Sequence, residues 1–333
     1  MARKFINKPE NLTSELLEGM TLAFKDVIEL GGANKKLVIN KELYSADRVT
    51  VVSIGGTGHE PAQAGFVGPG MLDITVAGDI FAAPGPQDVV EAIKIADRGK
   101  GVLLIVLNHA GDILTGNVVM NIAKDQGLNV KRVVTQEDIS SAPRSEGANR
   151  RGLVGAMLLH HIAGAAAAMG KSLEEVTEIA QRFANNMATI TVATKGATHP
   201  STGLAISTYG DSEMGIGAGQ HGESGISRMP MMSADEVTDK MMNMLLDDLS
   251  IEKGERLMVV VNGAGSTTLM ELCIVFRRCH YFLAEKGIEI VASYCGDLIT
   301  TQEQAGFQMF IARMDDELIE LWNKPCRTPY FSK

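Results

Sequence analysis

Apolar residues recur at two periods along this chain, and the switches between them mark out its elements. Leu16, Leu17, Met20, Phe24 and Val27 fall at helical spacing and predict an opening helix. Arg48–Ile54 is rich in β-branched residues and runs into Gly55-Gly56-Thr57-Gly58, a buried strand ending in a tight turn. Asp73–Ala77 reads as a second strand and Pro86–Asp97 as a helix with proline near its start. Gly101–Leu107 is an unbroken apolar run, the pattern of a strand buried on both faces of a parallel sheet. A turn at 108–112 leads to a helix over 113–126, and Leu128–Val134 is again a strand. Strands alternating with helices indicate a parallel sheet with right-handed crossovers.

Beyond residue 150 the pattern changes. Leu153–Met169 is an alanine-rich helix, apolar on two faces, that Gly170 stops. Ser172 and Glu175 form a capping-box pattern that opens a helix reaching about Asn185. Short strands with Gly, Ser and Thr loops follow over 188–193 and 204–222. Then come a helix over 234–246, a strand over 256–261, a helix over 268–285, and strands over 288–292 and 307–313. The predicted fold is α/β with two α/β domains, residues 1–185 and 186–333, the first built on a largely parallel sheet.

Composition narrows the function. Glycine, at 35 of 333 residues, exceeds the usual ~7%, while aromatics make up only 5%. That balance suits a backbone that bends closely around something small. A net charge of −9 argues against a nucleic-acid surface and against an anionic membrane. No apolar run near the N-terminus reads as a signal peptide, and Gly101–Leu107 is too short to span a bilayer. Cys273, Cys279, Cys295 and Cys326 lack CxxC spacing and read as free thiols in a reducing cytoplasm.

Nucleotide motifs fail on inspection. Gly170-Lys171-Ser172 resembles the end of a P-loop, but position 165 is Ala where the first Gly belongs, and a helix precedes it rather than a strand. Gly55–Gly58 does not fit GxGxxG either. No HExxH, Cys/His cluster or Asp-rich loop argues for a metal.

Three other stretches carry candidate chemistry. Gly55, Gly56, Thr57 and Gly58 end a strand, where backbone N–H groups can converge on a small polar ligand, and His59 and Glu60 follow at once. A plain tight turn with an exposed His is the alternative. Asn108-His109-Ala110-Gly111-Asp112 ends the next strand; Asp112 either caps the following helix or offers a carboxylate for acid–base work. Five glycines surround His221 between Gly215 and Gly225. That density fits a flexible loop, or close backbone approach around an imidazole able to act as nucleophile or base. His160, His161, His199 and His280 read as structural. Asn262–Thr268 reads as a cap and packing turn, and Met229–Met232 as core or interface filler.

Taken in order, Gly55–Pro61, Pro69-Gly70-Met71, Asn108–Ile113, Gly147–Gly152, Gly219–Glu223 and Asn262–Gly265 resemble the dihydroxyacetone kinases, and the likeness runs to Leu321-Trp322 and Thr328-Pro329. The chain looks like the substrate-binding K subunit of the phosphotransferase-system-dependent type. That resemblance implies that His221 holds dihydroxyacetone as a hemiaminal, that Asp112 is the base for the terminal hydroxyl, and that His59 assists. It also implies substrate contacts at Gly55–Gly58 and at position 107. A partner L subunit would carry ADP or ATP with Mg, a phosphotransferase-system subunit would donate the phosphoryl group, and this K-type chain would bind neither nucleotide nor metal and would form a homodimer. Three positions depart from the family pattern: Leu107 replaces a lysine, His109 a common aromatic, and Ile54 a common glycine. These departures admit a four-carbon ketose such as erythrulose, or a ketose-binding coactivator that transfers nothing. Retention of Asp112 and His59 favours the kinase.

Overall fold

The computed structural model describes residues 4–219, 221 and 227–333. The chain opens with α1 (Leu12–Ala23), β1 (Ile28–Gly31), β2 (Leu37–Asn40), β3 (Thr50–Thr57), β4 (Ile74–Ile80), α2 (Pro86–Ala96), β5 (Val102–Leu107), α3 (Ala110–Asp125) and β6 (Val130–Thr135). These strands form a six-stranded sheet in the order β1-β2-β4-β3-β5-β6. From β4 to β6 all pairings are parallel, while β1 and β2 add on antiparallel. The expected parallel sheet is present, and its antiparallel edge was not foreseen. Those two edge strands are four residues each, too short for an alternating pattern to register. The opening helix stops at Ala23, and Val27 leads into β1 instead of extending it.

Helices α4 (Gly155–Ala168) and α5 (Leu173–Asn185) follow. The Ser172–Glu175 capping box at the start of α5 forms as predicted. The remainder is β7 (Met187–Lys195), β8 (Glu213–Ile216), β9 (Ser227–Pro230), α6 (Ala234–Leu249), β10 (Arg256–Gly263), α7 (Leu269–Glu285), β11 (Glu289–Gly296), β12 (Ala305–Arg313) and α8 (Asp316–Trp322). Its strands make a second six-stranded sheet, ordered β11-β10-β12-β7-β8-β9, in which only β10 and β11 run parallel. Thr268 caps α7 through a capping box with Glu271, in line with the reading of that turn.

Alternation along the strands explains how the layers stack. On β5, Leu103, Ile105 and Leu107 face one core while Val102, Leu104 and Val106 face another with α2 and α3. On β10, Met258 and Val260 join the same core as Leu103, and Leu257, Val259 and Val261 face a third with α6 and α7. The two sheets therefore share a central core, and α4 and α5 lie in it. This accounts for the alanine-rich, two-faced pattern of α4, whose residues from Gly155 to Ala167 are all buried. The shared core also brings the carboxyl ends of β3 and β5 against connections of the second sheet.

Candidate functional site

Strand β3 delivers Gly55 and Gly56 to a small cavity that is also lined by His59, Ala62, Gln63, Leu107, His109, Asp112, His221 and Ile299. Glycine is required at position 56, because a Cβ there would sit 2.7 Å from the backbone nitrogen of Ala82. Gly58 takes φ +98°, which reverses the chain, and its N–H donates to Glu60 Oε1 at 3.0 Å. His59 is thereby turned inward and buried. Its Nδ1 donates to the Thr300 carbonyl at 2.8 Å, and its own carbonyl accepts from the amides of Thr300 and Ala62. Since a carbonyl only accepts, the neutral ring carries its proton on Nδ1 and its lone pair on Nε2. The turn buries its His rather than leaving it exposed.

Asp112 lies in the first turn of α3, whose N-cap position is His109, so it is not the helix cap. Its side chain is buried, and Oδ1 has no hydrogen-bond partner among the described residues. Burial pushes its carboxyl up to about 7, opposed by the nearby His221. A buried, unpartnered carboxylate oxygen at a cavity wall is a position for a ligand hydroxyl.

His221 lies between β8 and β9, and its ring meets three others. Ring centroids are 5.2 Å from His59, 4.9 Å from His109 and 5.8 Å from Phe81. Its neighbours Gln220, Gly222 and Glu223, singled out in the sequence, lie outside the described residues. Phe81, held at φ +57°, also packs on His59 and on His199.

Of the residues expected to touch a substrate, Gly55, Gly56, His59, Leu107, Asp112 and His221 converge. Thr57 and Gly58 do not line the cavity. The Thr57 hydroxyl donates to the Gly78 carbonyl and pairs with Thr13, and Gly58 works by shaping the turn. Sequence reasoning missed Ala62, Gln63, His109 and Ile299 as lining residues. Gln63 sits four residues after His59, close enough to have been suspected; its amide donates to the Ile54 carbonyl at 2.7 Å and accepts from Ser53. Ile299 comes from the second sheet, and no local signal marks it. His161 is engaged with the Gly70 and Trp322 carbonyls, a structural role. Among the described residues no cluster of His, Cys, Asp or Glu is arranged to hold a metal ion, and no helix is long and apolar enough to cross a membrane.

The Dak1 domain profile matches residues 18–330. The chain is 34% identical over 329 residues to the dihydroxyacetone-binding subunit DhaK of the PTS-dependent dihydroxyacetone kinase 2 of Listeria innocua, covering 99% of each. It superposes on the C. freundii dihydroxyacetone kinase, solved with AMP-PNP and Mg2+, with a TM-score of 0.90 at 28% identity, covering 100% of this chain and 61% of that one. The dihydroxyacetone kinase operon co-activator Dha-DhaQ gives 0.89 at 27% identity, covering 95% of this chain and 97% of the other.

Proposed function

The chain belongs to the Dak1 domain family, and we propose that it is the dihydroxyacetone-binding subunit of a phosphotransferase-system-dependent dihydroxyacetone kinase. The observation that carries this reading is the meeting of His221 with His59 and the buried Asp112 in one small cavity.

In the proposed reaction the lone pair of the His221 imidazole adds to the ketone carbon. The carbonyl π pair moves to oxygen, which gains a proton as the ring gives up the one on its other nitrogen. A hemiaminal results with no leaving group. A polyol without a carbonyl cannot form it, so selectivity does not depend on size. The Asp112 carboxylate then takes the proton from the terminal hydroxyl as that oxygen attacks the γ-phosphorus of ATP on the partner subunit; the bond from the γ-phosphorus to the bridging oxygen breaks and ADP leaves. His59, fixed by its Nδ1–H bond to the Thr300 carbonyl, lines the same cavity and assists at this step. Gly55 and Gly56 let the backbone close on the ligand.

The phosphoryl donor belongs elsewhere in this scheme. Among the described residues, those lining the cavity include no Lys or Arg to clamp a polyphosphate. ATP or ADP with Mg is assigned to a partner L subunit, recharged by a phosphotransferase-system phosphoryl donor. We assign the K-type chain to a cytoplasmic homodimer. The test is phosphorylation of dihydroxyacetone with those partners supplied. Turnover supports the kinase; adduct formation without turnover overturns it in favour of a ketose-binding coactivator.

A further inference from the structure

The Asn262–Gly265 stretch, which the proposed mechanism does not use, approaches the site from the second sheet. Asn262 lies near the carboxyl end of β10, paired with Gly296 of β11 and with Gln308 of β12. Its side chain is fully buried, where an amide without partners would be costly. All of its contacts go to one piece of backbone. Oδ1 accepts from the Leu298 amide at 2.7 Å and the Ile299 amide at 3.1 Å, and Nδ2 donates to the Ile299 carbonyl at 2.8 Å. Two residues on, the Ala264 carbonyl accepts from the Thr301 amide at 2.9 Å. The segment so held closes on the turn that ends β3. Ile299 lines the cavity, and the Thr300 carbonyl accepts from His59 Nδ1 at 2.8 Å. The Thr300 amide donates to the His59 carbonyl at 3.1 Å, Thr300 Oγ1 to the Glu60 carbonyl at 2.8 Å, and Gln302 Nε2 to the Gly58 carbonyl at 3.0 Å.

We infer that Asn262 is a positioning residue that sets the orientation of the His59 ring through the backbone at 298–300. This rests on the proposed reading of His59 as a group that assists phosphoryl transfer. The acceptor that orients His59 belongs to the other sheet, and it is placed by the two residues before it, which Asn262 grips. Without the Asn262 amide, two buried N–H groups and one carbonyl lose their partner. The 298–300 backbone then shifts to find others, and the His59 Nδ1–H loses its fixed acceptor. Asn262 does not itself line the cavity, so it acts through His59 and not on the ketose.

The test follows the histidine side-chain nitrogens by NMR in the full-length wild type, Asn262→Ala and Asn262→Asp. The His59 signals are identified by their loss in His59→Gln. At about pH 8, where an ordinary imidazole is neutral, the wild-type ring is expected to carry its proton on Nδ1 alone. In Asn262→Ala it is expected to sample both tautomers, while His161, bonded to the Gly70 and Trp322 carbonyls, keeps its signals. Asn262→Asp keeps the shape and the two amide contacts but turns an oxygen on the Ile299 carbonyl. It is expected to shift His59 less, and it carries the comparison if the Ala variant does not fold. Turnover of dihydroxyacetone with the partners supplied is expected to fall on the order of 10²-fold in Asn262→Ala, and binding by less, as for a misplaced group. A folded variant overturns the inference and leaves the proposed function intact if its His59 signals match the wild type, if its His161 signals move with them, or if its turnover is unchanged. A wild type without turnover overturns the proposed function, while the spectra still decide whether Asn262 holds the His59 ring.

Discussion

The imidazole of His221 lies 5.2 Å, centroid to centroid, from that of His59. One ring comes from the β8–β9 connection of the second sheet and the other from the turn that ends β3 of the first. The site therefore exists only because the two sheets share a core, and each component of it is open to separate perturbation.

Asp112 is expected to set the pH profile. Its carboxyl is pushed up to about 7, and a general base works only when ionised. Turnover at saturating partners should rise as pH increases through about 7 and then level. Asp112→Asn should leave dihydroxyacetone binding in place and lower turnover by about 10²–10⁴-fold. Steady-state rates across the pH range check both.

The same carboxyl has a consequence for stability. A carboxylate whose pKa is raised on folding takes up protons in the native state between its unfolded value near 4 and about 7. Its contribution is most favourable in acid and is lost as pH rises through 7. Asp112→Asn should therefore raise the thermal midpoint at pH 8, by at most about 4 kcal/mol of stability, and change it little near pH 4. Thermal unfolding at the two pH values measures the difference.

Gly56→Ala tests the crowding of the strand end. The added methyl would lie 2.7 Å from the Ala82 nitrogen and 3.0 Å from its carbonyl oxygen, both backbone atoms. A loss of about 1–3 kcal/mol in denaturant unfolding is expected, with weakened ketose binding because the His59 turn must shift.

Glu137 supports the wall that holds His109. Buried, it accepts from the Leu153 amide at 2.7 Å and the Gly155 amide at 2.8 Å, beside the Gly152 carbonyl on which His109 rests. Burial pushes its carboxyl up to about 8, so the neutral form prevails at pH 7. Glu137→Gln keeps the acceptor oxygen and should cost under about 1 kcal/mol at pH 7. Glu137→Ala leaves two buried amides without an acceptor and should cost about 3 kcal/mol or more. Chemical denaturation of both variants at pH 7 checks the pair.

What the sequence disclosed follows from how local each signal is. β3 runs on through Gly55, Gly56 and Thr57, so the turn begins only at Gly58, but the β5 run and the Ser172 capping box, written in consecutive residues, formed where expected. So did the grouping of His59, Asp112 and His221, through the ordered motifs. The part that stayed hidden is long-range. His109 reads as a stand-in for an aromatic until its ring is seen against His221. Ile299 enters from the other sheet, and Thr57 turns away because Thr13 and Gly78 claim its hydroxyl. The stretch 204–222 was expected to hold short strands, and among its described residues Glu213–Ile216 is the only strand, beside a single bridge from Ala205 to Thr198. The pairing of that strand is set by partners on β7 and β9 rather than by local pattern.

The central claim is that His221 binds the ketose covalently, and a crystal of the wild type soaked with dihydroxyacetone tests it directly. Continuous density at bonding distance from the His221 imidazole to the ketone carbon, with a tetrahedral carbon and no such density in His221→Ala, is the predicted result. An intact ketone in the cavity, separated from the His221 ring by a van der Waals gap, would contradict it.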